Sequence, residues 1–381
     1  MKTLLRCFAF LSALCTSTVF AEDWQSVLAQ ADGQTVYFHA WGGSPEINRY
    51  FQWTSKELKS RYNITLVHVK VSDITESTTR LLAEKAAGKN SGGSVDMIWI
   101  NGENFKSMKD NQMLAPAFVD GLPSMQYANT ALPIETDFSE PTEGLEAPFG
   151  LGQLVFIYDQ ASLQQPPKSF AEMLNYAKAN PNRLTYPRPP EFHGTSFLKA
   201  LLIELSGNHP DLAKPVQAAQ FEQITAPLWQ YLDAFHQVAW RGGKQFPAGS
   251  AEMLQLLDDE QIDLAVTFNP NAVYAAQMSG NLAESTEVYA FSKGALTNVH
   301  FLTIPWNAQA SAGAKVAINF LLSPAAQSRK GDTHVWGDPS ILMPSVLSGT
   351  AASSKPFPAI AEPHPSWQNA LEQAWLKRYG S

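Results

Sequence analysis

The side chains best suited to hold a small molecule sit where apolar runs stop. Trp41, Gly42, Gly43 and Ser44 follow one run, Asn101, Glu103 and Asn104 a second, and Asn269 and Asn271 a third. Trp306 and Asn307 close a fourth. Open α/β sheets bind ligands beyond the carboxyl ends of their strands. The Gly42-Gly43-Ser44 turn exposes backbone N–H groups at a helix start, which suits an anionic or carbonyl oxygen; an ordinary capped turn reads the same way. His193-Gly194-Thr195-Ser196 offers a second helix start, with Arg188 nearby as a bidentate donor or as a plain surface residue. Trp41 and Trp306 are placed to stack on a flat or cationic ligand, whereas Trp99 lies within an apolar run and reads as core. Glu103 fits two roles equally, counter-charge to a bound cation or helix-start carboxylate facing the dipole.

Covalent chemistry has no comparable support. The nucleophile elbow G-x-S-x-G, the zinc motif H-E-x-x-H and the phosphate loop G-x-x-x-x-G-K-[ST] are all missing. Gly150-Leu151-Gly152 leads into a strand rather than a helix, which rejects a dinucleotide fingerprint. The eight His are scattered without metal-ligand spacing. No Tyr-Tyr pair stands beside a His/Asp set, which disfavours ferric iron. An enzyme would need a general base in the cleft, and His193 is the candidate.

The elements that must carry these residues are legible. Thr35–Trp41 reads as a strand, and Ser44-Pro45 starts a helix whose Ile47, Tyr50, Phe51 and Leu58 share one face. Ile64–Val71 and Val95–Ile100 are further strands, with a helix over about 74–87 between them. Strands joined by single helices imply a parallel sheet. Another strand covers Gln153–Asp159, and a second α/β set follows Pro166-Pro167, with a short strand expected at Arg183–Tyr186. Ile262–Phe268 and His300–Trp306 read as strands, and the tail from Pro363 to Tyr379 as an amphipathic helix carrying Trp367, Leu371 and Trp375.

With 45% hydrophobic residues the 381-residue chain has ample core material, and its formal charge of −8 excludes a broad nucleic-acid surface. Residues 1–21 read as an export signal: Lys2 and Arg6, an apolar run from Cys7 to Leu14, then Val19-Phe20-Ala21 before a cut at Glu22. A lipoprotein anchor at Cys15 is the rival, poorly served by bulky Leu14. Both cysteines lie in this segment, so the remainder has no thiol for disulfides or thiolate metal sites. Export and acidity point to a bacterial periplasm.

Three passages carry a family resemblance. They are Asp258–Asn269, an acidic turn feeding a buried strand; Asn298–Ala308 with the later helix ending Asn319–Gln327; and Pro148-Phe149-Gly150 leading to Val155–Asp159. Together the chain resembles the extracellular solute-binding proteins of ABC importers, the two-lobed type that includes thiamine, polyamine, iron and maltose binders, and among them the YnjB-like subfamily. The resemblance implies an α/β, two-lobed type II periplasmic-binding-protein fold with crossover hinge strands. It implies one lobe from 22–158 plus about 292–345, a second from 159–291, and a C-terminal helical segment, 346–381, packing on the lobes. The implied partners are a small-molecule ligand and an inner-membrane ABC permease, for a monomer with no cofactor or metal, no nucleic acid and no membrane insertion after signal cleavage. The aromatic strand ends and Glu103 favour a thiamine-like ligand or another organic cation or heteroaromatic; Arg188 and the helix starts favour an anion. The alternatives are a hydrolase-like periplasmic enzyme on the same fold and a ligand-sensing receptor partner.

Overall fold

The structure is a computed structural model that describes residues 23–278, 280–353 and 356–380. The expected export signal lies outside the described residues. The strands, in chain order, are Thr35–Trp41 (β1), Thr65–Val71 (β2), Met97–Ile100 (β3), Thr136–Asp137 (β4), Glu140–Pro141 (β5), Glu146–Gln153 (β6), Val155–Asp159 (β7), Ala265–Thr267 (β8), Thr286–Tyr289 (β9), Ala295–Thr303 (β10) and Ala359–Ala361 (β11).

One sheet has the order β11-β10-β3-β1-β2, with β6 also paired to β10. β1 runs parallel to β2 and β3, as right-handed crossovers require. β10 runs antiparallel to β3 and β6, so the sheet is mixed rather than wholly parallel. The reason is topological: β10 returns from the second lobe and enters at the edge where β1 and β3 end. The second sheet, β8-β7-β9, is antiparallel throughout. Arg183–Tyr186 is not a strand; the carbonyls of Arg183 and Leu184 accept instead from Asp263 and Trp240, on two separate segments.

The helix Pro45–Tyr62 shows how local sequence sets an element. Ser44 caps the Ile47 N–H, Pro45 occupies the first turn, and Asn63 stops the helix in the left-handed region at φ 52°. Ile47, Tyr50, Phe51 and Leu58 are buried on its inner face. They join Phe38, Phe149, Phe301 and Phe320 in a first core. A second core gathers Phe156, Phe170, Tyr186 and Phe197, and the final helix, Ser366–Tyr379, adds Trp367, Leu371 and Trp375 to it. Gly150 of β6 is needed for close approach: a Cβ there would lie 2.1 Å from both Asp338 Oδ2 and His300 Nε2, two groups of a buried ion cluster with Lys330.

The chain passes between the cores at three places. β6 continues into β7 through Leu154, residues 290–295 lead from β9 to β10, and residues 361–366 lead from β11 to the last helix. The fully buried Gln153 side chain ties the first crossing to chain that flanks the other two. Its Oε1 accepts from the Phe357 N–H (2.8 Å), and its Nε2 donates to the Phe357 carbonyl and to Thr297 Oγ1 (both 2.9 Å). Gln153→Leu would strand these buried groups, at about 1–3 kcal/mol. A lower melting temperature is expected for this variant by calorimetry, with near-native far-ultraviolet circular dichroism.

Candidate functional site

Strand ends β1, β2 and β3 bring Gly42, Asp73 and Glu103 to one face of the first sheet. Asp73 is exposed, and its carboxylate accepts from the Thr75 N–H (2.7 Å) at the start of the next helix. Glu103 is half-buried, following Gly102, which sits at φ 59°. Burial raises the Glu103 pKa; Asp73 and Glu362 push it the same way, and Lys199 opposes them. Asn104 is fixed by Thr75 Oγ1 (3.4 Å) and Thr78 Oγ1 (3.2 Å), both donating to its Oδ1.

The facing surface belongs to the helix Phe192–Leu205 and the last helix. Thr195 Oγ1 donates to Glu372 Oε1 (2.9 Å), and burial raises the Glu372 pKa. One turn on, Lys199 is 1% exposed in an otherwise apolar stretch. Its Nζ lies 2.8 Å from Glu362 Oε2, 3.5 Å from Gln368 Oε1 and 4.4 Å from the centroid of Phe138. Behind Glu103, Asp137 Oδ2 accepts from the Gly102 N–H (2.6 Å) while its Oδ1 has no partner among the described residues. Glu146 is 1% exposed, and neither of its carboxylate oxygens has a partner there. Burial drives both acids well above the ordinary carboxylate range, and each raises the other or is raised by further acids nearby. Glu103, Asp137, Glu362 and Glu372 thus share Lys199 as the neighbouring cation that opposes their raised pKa values.

The residues expected from sequence are only partly brought together. Glu103, Asn104 and Thr195 join the cluster, and Asn101 ends β3 half-buried beside it. Ser196 is fully buried, and its hydroxyl has no partner among the described residues. His193 is spent on Glu191: its Nδ1 lies 2.7 Å from Glu191 Oε1, and Glu191 Oε2 accepts from the Gly194 N–H (3.0 Å). That helix start is therefore filled by the protein's own carboxylate. Ser44 does the same at the other helix start, accepting from Ile47 (3.3 Å) and donating to Glu46 (2.9 Å). Trp41 is 45% exposed, with its ring laid over Gly43, where a Cβ would come within 2.3 Å of it; Gly42 likewise abuts the Lys70 stem.

Five residues expected in the cleft or facing it lie elsewhere. Asn269 and Asn271 instead form a seam between the cores, donating to the Trp336 carbonyl (3.3 Å) and the Gly337 carbonyl (2.6 Å). Tyr274 Oη extends this seam to His334 Nε2 (2.8 Å). Arg188 turns to the end of the last helix, donating to the Gly380 carbonyl (3.2 Å), a favourable place for a cation. Trp306 and Asn307 stand at the opposite end of the sheet because β10 runs antiparallel. There Asn307 Nδ2 donates to Glu84 (2.8 Å) and to the Lys89 carbonyl (3.0 Å), and Lys85 sits over the Trp306 ring at 5.5 Å.

Lys199, Asp73, Glu362 and Glu372 were not singled out by sequence reasoning. A lone Lys in Phe197-Leu198-Lys199-Ala200-Leu201-Leu202 was a usable signal, since an unpaired buried ammonium is untenable. The open depressions of about 850 Å³ (Tyr158, Lys168, Tyr176, Tyr289) and about 320 Å³ (Asn271, Tyr274, Thr286) touch none of the clustered acids. The chemistry, rather than the volume, marks the site. Among the described residues no group of His, Cys, Asp and Glu is arranged to hold a metal.

Two α/β lobes joined by crossing chain, with a charged cluster between them, define a mixed α/β periplasmic-binding-protein fold of type II. The family model described as bacterial extracellular solute-binding protein matches residues 53–351. Protein YnjB of Escherichia coli (strain K12) is 47% identical over 378 residues, 97% of each chain. The spermidine/putrescine substrate-binding protein PotD of Streptococcus pneumoniae superposes with a TM-score of 0.64 at 14% identity, covering 91% of this chain and 96% of that one. The ferric binding protein of Campylobacter jejuni gives 0.65 at 12%, covering 91% and 98%. The chain belongs to the bacterial extracellular solute-binding proteins.

Glu146→Gln removes the most isolated acid. Its raised pKa means that folding favours the protonated form, a preference that costs stability as pH rises above the unfolded value, by up to about 1.4 kcal/mol per pH unit until the folded pKa is reached. The variant's gain in melting temperature over the parent is therefore expected to be larger at about pH 8 than at about pH 5.

Proposed function

We propose that the chain captures a small organic cation between its lobes and delivers it to an inner-membrane ABC permease, working in the periplasm after removal of residues 1–21. The observation that carries the choice of charge is the cluster itself: Glu103 and Asp73 come from one lobe, Glu372 and Glu362 from the other lobe and the crossing chain, and Lys199 is the cation near Glu103, Glu362 and Glu372. A ligand cation between these groups makes charge-assisted hydrogen bonds to both sides at once, and contacts to both lobes stabilise the closed state. The helix starts that would have served an anion are already occupied by Ser44 and Glu191. The fold alone does not select the cargo, since polyamine and ferric binders share it. Of the two sequence readings, the organic cation is retained and the anion set aside.

In this reading lobe one comprises 22–158 with about 292–345, and lobe two 159–291. The segment 346–381 belongs to both, because Val346 and Leu347 pack on the first core and Trp367 and Trp375 on the second. Closure is sealed at the far side by the Asn269, Asn271 and Tyr274 bonds.

Calorimetric titration with a panel of organic cations and organic anions tests the proposal. Binding of at least one cation and of no anion is expected. Glu103→Gln should weaken that cation by about tenfold or more, the worth of one charge-assisted hydrogen bond. Affinity should also fall on acidification from about pH 8 to about pH 5, because the raised pKa values of Glu103 and Glu372 neutralise the site above the ordinary carboxylate range. Selective anion binding, or a cation affinity indifferent to both changes, would refute it.

A further inference from the structure

We infer that Lys199 is a tethered occupant of an alkylammonium subsite and thereby sets the number of positive charges that the cleft ligand carries. The inference rests on the organic-cation reading and deepens it.

Four separate pieces of chain build this one cage, three of them converging on the side chain carried by the fourth. Helix Phe192–Leu205 supplies Lys199 itself, the crossing segment supplies Glu362 Oε2 at 2.8 Å, the last helix supplies Gln368 Oε1 at 3.5 Å, and the β4–β5 hairpin supplies the Phe138 ring at 4.4 Å. A carboxylate, an amide oxygen and an aromatic face around one ammonium form the recognition set for a primary alkylammonium group. The aromatic wall is held at a cost: Phe138 has φ 43° and Ser139 φ 65°, both in the left-handed region that non-glycine residues avoid. Ser139 Oγ donates to the Glu362 carbonyl (2.9 Å), which joins the hairpin to the carboxylate across the cage. Asp137, buried next to Phe138, keeps Oδ1 without a partner among the described residues.

Toward solvent from this cage lie Glu103 and Glu372, half-buried, and then Asp73, exposed. Thr195, one helical turn before Lys199, holds Glu372 on that side. The cleft therefore has two cation positions in line. The inner one is filled by the protein, and the outer one is lined by carboxylates that Lys199 does not pair with directly. A ligand with one ammonium group is met by the outer acids. The second ammonium of a linear diamine would have to enter the cage that Lys199 fills.

Lys199→Met removes the ammonium and keeps an apolar stem of similar reach. Putrescine and butylamine, of equal carbon length, are the probes, titrated into the full-length mature protein. The ratio of putrescine to butylamine affinity is expected to rise about tenfold or more in the variant relative to the parent, the worth of one new charge-assisted contact. An unchanged ratio in a protein that still binds butylamine would overturn the role of Lys199 and leave the cation reading standing. Failure of both amines to bind either protein would overturn both. Should Lys199→Met lose its cooperative melt when unliganded, putrescine is expected to restore it, and sodium chloride of equal ionic strength is not; absence of that rescue also overturns the inference.

Discussion

Everything that the lobes do together depends on one buried amide. Gln153 stands where β6 becomes β7, and its side chain holds Thr297 in β10 and Phe357 just before β11, which flank the other crossing segments, through three hydrogen bonds of 2.8–2.9 Å. An interior amide is expensive unless its donors and acceptors are met. Here the satisfied geometry fixes the relative register of the crossing segments. The backbone repeats the constraint, with the Gln153 N–H donating to the Phe268 carbonyl and the Leu154 N–H to the Leu296 carbonyl.

From that fixed point the charges fall into place. β10 leaves the crossing and runs back against β3, so its first residues, including Asn298, lie at the strand-end face, and Asn298 donates to Glu362 (3.4 Å). The same crossing chain that pairs β11 with β10 delivers Glu362 to Lys199. The Gln153 junction and the charged cluster are thus linked through one stretch of chain, from Phe357 to Glu362. Buried ion pairs add little net stability by themselves, because desolvation offsets their attraction. The proposed recognition of a cation gives the Lys199–Glu362 pair a role that net stability does not.

Much of the fold was legible in the sequence because local rules dominate there. The capped helix Pro45–Tyr62, the parallel β1, β2 and β3, and the tryptophans of the last helix all follow from periodicity and end signals. The reading failed where long-range topology decides. Nothing local in Phe301-Leu302-Thr303-Ile304-Pro305-Trp306 announces that the strand runs backward, and that single fact removes Trp306 and Asn307 from the cleft. Glu103 and Thr195, which the structure places in the charged cluster, were legible because strand ends and helix starts are local features. Glu362 and Glu372 were missed because they reach the site from a tail that sequence alone places only as an amphipathic helix.

The most direct measurement is native against denaturing mass spectrometry of the mature protein purified gently from periplasm. A reproducible mass excess that is lost on denaturation, and that fragments as an organic cation, is the expected result. A released anion or metal ion, or a cation retained equally when Glu103 is replaced by Gln, would contradict the acid-lined cleft as the site of capture.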